Sequence, residues 1–212
     1  AYLLAGAAAD HEATTAAEAL EKVSKGMYIM IREGSVTRDL VSLLPAVNSS
    51  NSSRFLFATD DRHPGDLIRE GQIDYAVRKA VQYGLSPLRA LKMATINAAE
   101  ALGIKNLGAV APGYRADLLV LDNLRDFEVE KVYKDGKLVA ENGTLLKSID
   151  DQISSNQDNI FSQEIEEKIF NSIKIGEISA ADFKLPAAKK YRVIELKKNQ
   201  IVTGKSSYQP EG

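Results

Sequence analysis

The sequence of 212 residues contains no cysteine and only two histidines. Without cysteine, the chain has no disulfides, no thiolate metal sites and no cysteine nucleophile. Basic residues number 27 and acidic residues 29, for a net charge of −2, and no basic block occurs. We therefore expect neither nucleic acid nor an anionic membrane as a partner.

Long hydrophobic runs are also missing. The longest apolar run, near the start of the chain, is far shorter than the ~20 residues that span a bilayer. The first residues lack the basic segment of a signal peptide, and the sequence does not begin with Met, so we expect a processed or excised piece. The composition, 44% hydrophobic and 26% charged, is that of a soluble globular protein with one or two domains.

The first third of the chain repeats one pattern, an apolar strand followed by a polar cluster and then by a helical segment. A helix end followed by a buried strand is predicted at residues 1–9, and further strands are predicted at 27–31 and 54–58. The clusters that follow them are Asp10-His11-Glu12, Arg32-Glu33-Gly34-Ser35 and Asp60-Asp61-Arg62-His63. Alternating strands and helices favour a parallel sheet or barrel. In such a sheet all three clusters lie at the same edge, where α/β proteins bind ligands and metals.

Downstream, the periodicity predicts helices at 37–47, broken near Pro45, at 72–84 and at 86–103. A strand at 116–122 and a hairpin over 127–140, built around an Asp-Gly turn, predict a small β-module. After residue 150 the pattern weakens, with an amphipathic helix at 164–173 and short strands at 191–196 and 200–202. A (β/α)8 barrel needs eight strand–helix units, and about three are present, so the chain is expected to be the second half of a barrel.

The predicted edge combines imidazole and carboxylate groups, from His11, His63 and Asp60. A histidine beside acidic residues can equally form a surface ion pair, and the Asp-rich stretch can be a solvated turn that caps the next helix. Together, however, these groups suit Zn, Mn or Fe(II). Catalytic sites of this kind use three or more protein ligands. Since the chain offers one strong histidine and one strong aspartate, the other ligands are expected upstream of residue 1.

Three stretches closely resemble the bacterial adenine deaminase family of the amidohydrolase superfamily: ADHEATTAAEALEKVSKGMYIMIREGS, FATDDRHPGDLIREGQIDYAVRKAV and MATINAAEALGIKNLGAVAPGYRADLLVLDNL. The resemblance extends over residues 1–146. It implies an α/β chain in which residues 1–106 form the last strands and helices of a partial (β/α)8 TIM-type barrel. Residues 107–149 would form a β-sandwich module, and residues 150–212 a C-terminal α+β segment.

The resemblance also implies a reaction, the hydrolytic deamination of adenine to hypoxanthine and ammonia in purine salvage. His11 would be a metal ligand. Asp60 would contact the metal and accept the proton of the attacking water. The implied cofactor is a divalent metal, Mn²⁺ or Fe²⁺, with Zn²⁺ as an alternative, in a binuclear centre of the complete enzyme. The family further implies a cytoplasmic homo-oligomer whose substrate partner is adenine.

Four more residues are assigned to the substrate side of the site. Arg32 and Glu33 would help to hold the purine, and Asp61 and His63 would line the same rim. Family members also carry a His-x-His pair, a bridging acidic residue and a further histidine on earlier strands, none of which is in this chain. We therefore expect the isolated chain to be inactive. Two other hypotheses stay open: a related amidohydrolase that acts on another cyclic amide or amidine, and a non-catalytic folding or interaction unit.

Overall fold

The structure is a computed structural model that describes residues 3–149, 151, 163–186 and 188–210. These residues form a mixed α/β fold with three separate sheets. No helix in this part of the chain is long and apolar enough to cross a membrane.

The sheet that positions the candidate site has three strands in the order β1-β2-β3. Its strands are β1 (Ala9–Asp10), β2 (Tyr28–Arg32) and β3 (Phe55–Ala58). Both strand pairs are parallel, with Asp10 opposite Ile29 and Ile29 opposite Phe55. The parallel arrangement predicted from the repeating pattern is thus confirmed, and the three polar clusters follow the carboxyl ends of adjacent strands.

The first crossover contains helix α1 (Ala16–Ser24), which begins where the Thr15 side chain accepts a hydrogen bond from the Glu18 backbone N–H. The second contains α2 (Leu40–Leu43) and a 3₁₀ turn, Leu44–Ala46. The sequence predicts one helix from residue 37, and this start is wrong by three residues. The Gly34 N–H donates to the Thr37 carbonyl at 2.8 Å, so the chain makes a tight turn before the helix begins.

Four helices follow β3: α3 (Pro64–Glu70), α4 (Ile73–Gln82), α5 (Pro87–Ala94) and α6 (Ile96–Ala101). The last two were predicted as one helix over 86–103. The backbone breaks at Thr95, where φ is −129° and ψ is −95°. Gly108 packs against this break so closely that a Cβ there would lie 2.8 Å from the Ile96 Cα. The break between α5 and α6 therefore coincides with a tertiary contact to Gly108, a residue beyond both helices.

A single hydrophobic core joins the sheet to these helices. Its strand members alternate along the chain, as expected for one face of a sheet. They are Ile29, Ile31, Phe55 and Phe57, and each is at most 6% exposed. The helices contribute Leu40, Leu43, Ala76, Val77, Ala80, Ala90 and Met93. Residues that alternate with the core positions, Met30 and Arg32 among them, therefore lie on the opposite face of the sheet.

An antiparallel sheet of four strands follows, in the order β4-β5-β6-β7. Its strands are β4 (Leu118–Leu121), β5 (Val129–Lys134), β6 (Lys137–Glu141) and β7 (Thr144–Leu145). Asp135 and Gly136 connect β5 to β6 with φ values of +49° and +76°. Two positive φ angles in a two-residue loop are typical of the turn that suits a hairpin, so the predicted Asp-Gly hairpin is confirmed.

The C-terminal part contains helix α7 (Gln163–Phe170), a 3₁₀ turn at Ala180–Phe183, and the antiparallel strands β8 (Tyr191–Leu196) and β9 (Thr203–Tyr208). The helix ends three residues before its predicted end at 173. The sequence predicts a strand at 200–202, and this position is wrong because β9 begins at Thr203. The Gln200 N–H donates to the Lys197 carbonyl, so residues 197–200 form the turn of the hairpin.

Candidate active site

Arg32, the last residue of β2, joins the three polar clusters. Its side chain is 1% exposed. Nη1 donates to Oε2 of Glu12 at 3.1 Å and to Oδ2 of Asp60 at 3.4 Å. Glu12 follows β1 and Asp60 follows β3, so one guanidinium nitrogen contacts residues from both neighbouring strands. The convergence of the clusters at one edge, predicted from the strand order, is therefore present in the structure.

The opposite side of the guanidinium is held by Asp39. Nε and Nη2 of Arg32 donate to the same oxygen, Oδ2, at 3.1 and 2.9 Å, and the Asp39 side chain is also 1% exposed. Burial alone would lower the pKa of Arg32, but the hydrogen bonds to Asp39 and the charges around it raise that pKa above its ordinary value. Arg32 therefore remains protonated and places a positive charge beside the candidate site.

His11 directly follows β1, which ends at Asp10. Asp10 itself turns toward helix α1, where Lys22 donates to it at 2.9 Å. Nε2 of His11 lies 3.1 Å from Oε1 of Glu12, and half of the His11 side chain is exposed. A continuous chain of contacts thus connects His11 through Glu12 and Arg32 to Asp60.

Asp60 has a left-handed backbone, with φ at +51°. A non-glycine residue in this region is uncommon, although aspartate adopts it more readily than most residues. The carboxylate is 36% exposed, and Oδ2 also accepts a hydrogen bond from Oγ1 of Thr37 at 3.3 Å. The turn after β3 therefore presents this carboxylate at the edge of the sheet, where it is open to a ligand.

Asp61 and His63 connect the loop after β3 to the loop after β2. Asp61 accepts hydrogen bonds from Oγ1 of Thr37 at 2.6 Å and from the Val36 N–H at 2.9 Å. Burial acts to raise its pKa, but these hydrogen bonds outweigh burial and lower it. The His63 N–H donates to Oγ of Ser35 at 2.8 Å, and its side chain is exposed. The structure therefore gives Asp61 a loop-stabilising contact and leaves the His63 imidazole at the rim.

Glu33 lies on the other face of the sheet from Arg32. Its carboxylate is buried, and Oε1 accepts a hydrogen bond from Nζ of Lys79 on α4 at 2.6 Å. Within the described residues, Oε2 has no hydrogen-bond partner. Burial raises the pKa of Glu33, and the ion pair with Lys79 only partly offsets this effect. The side chain therefore lies on the helix side of the sheet, where it contacts α4. The backbone N–H of Glu33 donates to the Ala58 carbonyl at 2.9 Å.

Sequence reasoning missed three residues that complete the site. They are Glu12, Thr37 and Asp39. Glu12 could have been found, because it directly follows His11 in a cluster that lies after a strand. The other two belong to the segment that folds back after β2, so only the tertiary structure shows their position. Arg62, in the cluster after β3, was also unassigned and donates to the backbone carbonyl of Gly34 at 3.3 Å.

The donor chemistry at this edge fits part of a divalent metal site. His11 and Asp60 offer an imidazole and a carboxylate that are linked through Glu12 and Arg32 and are both partly exposed. These are ligand types of Zn, Mn and Fe(II). Across the described ranges, no group of three or more His, Asp or Glu side chains is arranged to hold an ion. The two residues can therefore supply some of the ligands of such a site.

Residues 4–139 match the model of the Amidohydrolase family. The chain belongs to the amidohydrolase family. Its similar proteins include the adenine deaminase of Petrotoga mobilis, which is 55% identical over 208 residues, covering 98% of this chain and 35% of that protein. Adenine deaminase 2 of Carboxydothermus hydrogenoformans is 46% identical over 209 residues, covering 97% of this chain and 34% of that protein. The amidohydrolase chain thus spans about a third of the length of these relatives.

Solved structures support the fold of this amidohydrolase. The crystal structure of enamidase, a member of the amidohydrolase superfamily, superimposes with a TM-score of 0.53 at 17% identity, covering 65% of this chain and 42% of that one. A β-aspartyl dipeptidase from Fervidobacterium islandicum AW-1 superimposes with a TM-score of 0.50 at 20% identity, covering 62% of this chain and 38% of that one. At these identities the likeness concerns the fold alone.

Proposed function

We propose that this chain is a part of a metal-dependent adenine deaminase that covers the C-terminal half of the barrel and part of the domains that follow it. Residues 1–106 would be the last units of a (β/α)8 barrel, residues 107–149 part of a β-sandwich module, and residues 150–212 a C-terminal α+β segment. The similarity to proteins named adenine deaminase supports this proposal. So does the share of those proteins that the chain spans, since a parallel sheet of three strands is less than half of a closed barrel.

The observation that carries the proposal is the double contact of Arg32 Nη1 with Glu12 and Asp60. It brings the residues that follow three consecutive strands to one edge, as a site at the carboxyl end of a barrel requires. Neither Asp60 nor Glu12 is sealed from solvent. A substrate at this edge would therefore meet carboxylates held in place by a buried cation.

His11 and Asp60 would hold a divalent metal, Mn²⁺ or Fe²⁺, with Zn²⁺ as the alternative, in a centre that is binuclear in the full-length enzyme. When bound, such an ion lowers the pKa of water toward neutrality. The remaining ligands would come from outside the 212 residues. The proposal includes a role in purine salvage, a cytoplasmic location and a homo-oligomeric full-length protein, for which the family resemblance is the support.

In the reaction, water adds to C6 of adenine and the exocyclic amine leaves as ammonia, which yields hypoxanthine. Asp60 would accept the proton of the water and pass it to the leaving amine, a role that suits a positioned carboxylate. Arg32 would keep this carboxylate in place, and Arg32, Asp61 and His63 would form the wall that holds the purine. Glu33 would support this wall from the helix side of the sheet, through the contact of its carboxylate with Lys79 and the hydrogen bond of its backbone N–H to Ala58.

The direct test is ammonia release from adenine by the full-length protein supplied with Mn²⁺ or Fe²⁺. We expect stoichiometric formation of hypoxanthine. Turnover of hydantoin or dihydroorotate without turnover of adenine would instead favour a related amidohydrolase that acts on another cyclic amide. Turnover of none of these compounds by metal-loaded protein would favour a non-catalytic unit.

A further inference from the structure

The loop after β2 folds back on itself and brings Asp39 beside Arg32. An isolated antiparallel bridge joins Glu33 to Arg38, and the Asp39 N–H donates to the Arg32 carbonyl at 3.2 Å. Asp39 precedes α2, yet its side chain makes no capping hydrogen bond to that helix. Its hydrogen bonds are made to Arg32 instead. The position of Asp39 is therefore explained by the arginine and not by the helix.

The geometry of this pair decides which part of Arg32 faces the site. Two of the three guanidinium nitrogens, Nε and Nη2, donate hydrogen bonds to Oδ2 of Asp39. A guanidinium is planar and its donors have fixed directions. Holding two nitrogens on one side therefore fixes the direction of Nη1, which meets Glu12 and Asp60. Both partners are buried, so the orientation is not averaged by solvent.

We infer that Asp39 is a positioning residue, which orients Arg32 so that Nη1 holds the Asp60 carboxylate at the site. This inference rests on the proposed function for its link to catalysis, because Asp39 itself touches neither reacting group. It acts on Asp60 only through Arg32. Removal of Asp39 should therefore have no further effect once Arg32 has been removed.

A double-mutant cycle in the full-length protein tests this dependence. In kcat/KM for adenine, we expect Asp39→Ala and Arg32→Ala each to lose about 100-fold, as for a misplacement of about 1 Å. The double variant should lose no more than Arg32→Ala alone. Losses that multiply, to about 10,000-fold, would overturn the inference, because Asp39 would then act independently of Arg32. Asp39→Asn is the conservative variant, because its amide oxygen can still accept from Nε and Nη2 of Arg32. It should keep most of the wild-type kcat/KM, and a loss as large as that of Asp39→Ala would also overturn the inference.

Asp126→Ala is the matched control. Asp126 pairs with Arg125 at 3.2 Å, and that arginine is largely exposed, so the variant should keep wild-type kcat/KM. The crystal structure of the full-length Asp39→Ala variant is the second measurement, and it also shows whether the variant folds. If the wild type fails to deaminate adenine, the proposed function is lost, and this structure decides the positioning role by itself. Nη1 displaced from Asp60 would support the inference, and Nη1 still bonded to both Asp60 and Glu12 would overturn it.

Discussion

Asp61 occupies the space that the missing side chain of Gly34 leaves open. A Cβ atom at Gly34 would lie 2.9 Å from Cγ of Asp61 and 2.9 Å from Oγ1 of Thr37, well inside the ~3.5 Å of an ordinary nonbonded contact. Gly34 is therefore required by a close approach between two loops. Its φ is not in the left-handed region, so backbone conformation does not explain it.

Gly34→Ala should for this reason move the loop after β3 and the carboxylates that it carries. We expect a loss of stability of about 1–3 kcal/mol, as for overpacking, and a loss of activity of about tenfold or more. Denaturant unfolding and ammonia release by the full-length protein would measure both. Gly176→Ala is the control, because a Cβ at Gly176 would meet no atom of the described residues within 4 Å. Equal effects of the two substitutions would contradict this explanation.

Asp60→Asn should separate catalysis from folding. The amide oxygen can still accept the hydrogen bonds of Arg32 and Thr37, and asparagine tolerates a left-handed backbone as well as aspartate does. Because an amide cannot accept the proton, we expect kcat to fall by about 100-fold to 10,000-fold, with little change in melting temperature. Steady-state kinetics and calorimetry of the full-length protein provide the measurements.

Asp60→Ala serves as the contrasting variant, since alanine lacks the acceptor and is strained at a φ of +51°. It should lose both activity and stability, the latter by about 1–2 kcal/mol. If Asp60→Asn kept most of the activity, Asp60 would not be the proton acceptor.

Asn97 links the helix pair α5–α6 to the start of β3. Its side chain is nearly buried, and Nδ2 donates to the Ser52 carbonyl at 2.8 Å and to the Phe55 carbonyl at 2.9 Å. In Asn97→Ala both carbonyls lose this donor, although the Ser52 carbonyl keeps the hydrogen bond from the Phe55 N–H. We expect a loss of about 1–3 kcal/mol from the buried Phe55 carbonyl, measured by urea unfolding of the full-length protein.

Asn171→Ala is a suitable comparison, because the hydrogen bond from Nδ2 of Asn171 to the Glu167 carbonyl is exposed. Its effect should stay within about 0.5 kcal/mol. An Asn97→Ala variant as stable as the comparison would show that water or another donor replaces the lost hydrogen bonds.

Asp117 should give the β-module a pH-dependent stability. Lys134 Nζ, the Asp135 N–H and Arg115 all donate to it, and they lower its pKa to about 2. A lowered carboxylate pKa stabilises the folded state above the unfolded value of about 3.9. That contribution is lost as the pH falls from about 4 toward 2.

The variant Asp117→Asn should accordingly be less stable than the wild type at pH 6, and the difference should narrow steadily as the pH falls from about 4 to 2.5. Denaturant midpoints of both proteins across this range would measure it. A difference that stays constant from pH 6 to pH 2.5 would show that the ionised carboxylate does not provide the stabilisation.

Local patterns were sufficient to predict the parallel sheet and the edge where the clusters meet. Apolar strands, polar clusters and helices alternate, and few topologies accommodate that order. The alternation of side chains along a strand also predicts that Arg32 and Glu33 point to opposite faces of the sheet. The fold-back that brings Asp39 to Arg32 could not be predicted, because it depends on a tight turn between Gly34 and Thr37. Similarly, helical spacing continues across Thr95, and the break there coincides with the close approach of the distant Gly108 and with a hydrogen bond from the Thr95 hydroxyl to the Leu91 carbonyl.

The most direct test of the central claim, that His11 and Asp60 share a catalytic metal, is anomalous scattering from crystals of the full-length protein soaked in Mn²⁺. We predict a peak within about 2.2 Å of both an imidazole nitrogen of His11 and a carboxylate oxygen of Asp60, a normal ligand distance. The peak should disappear in His11→Ala. A manganese peak that contacts neither side chain would contradict the proposed site.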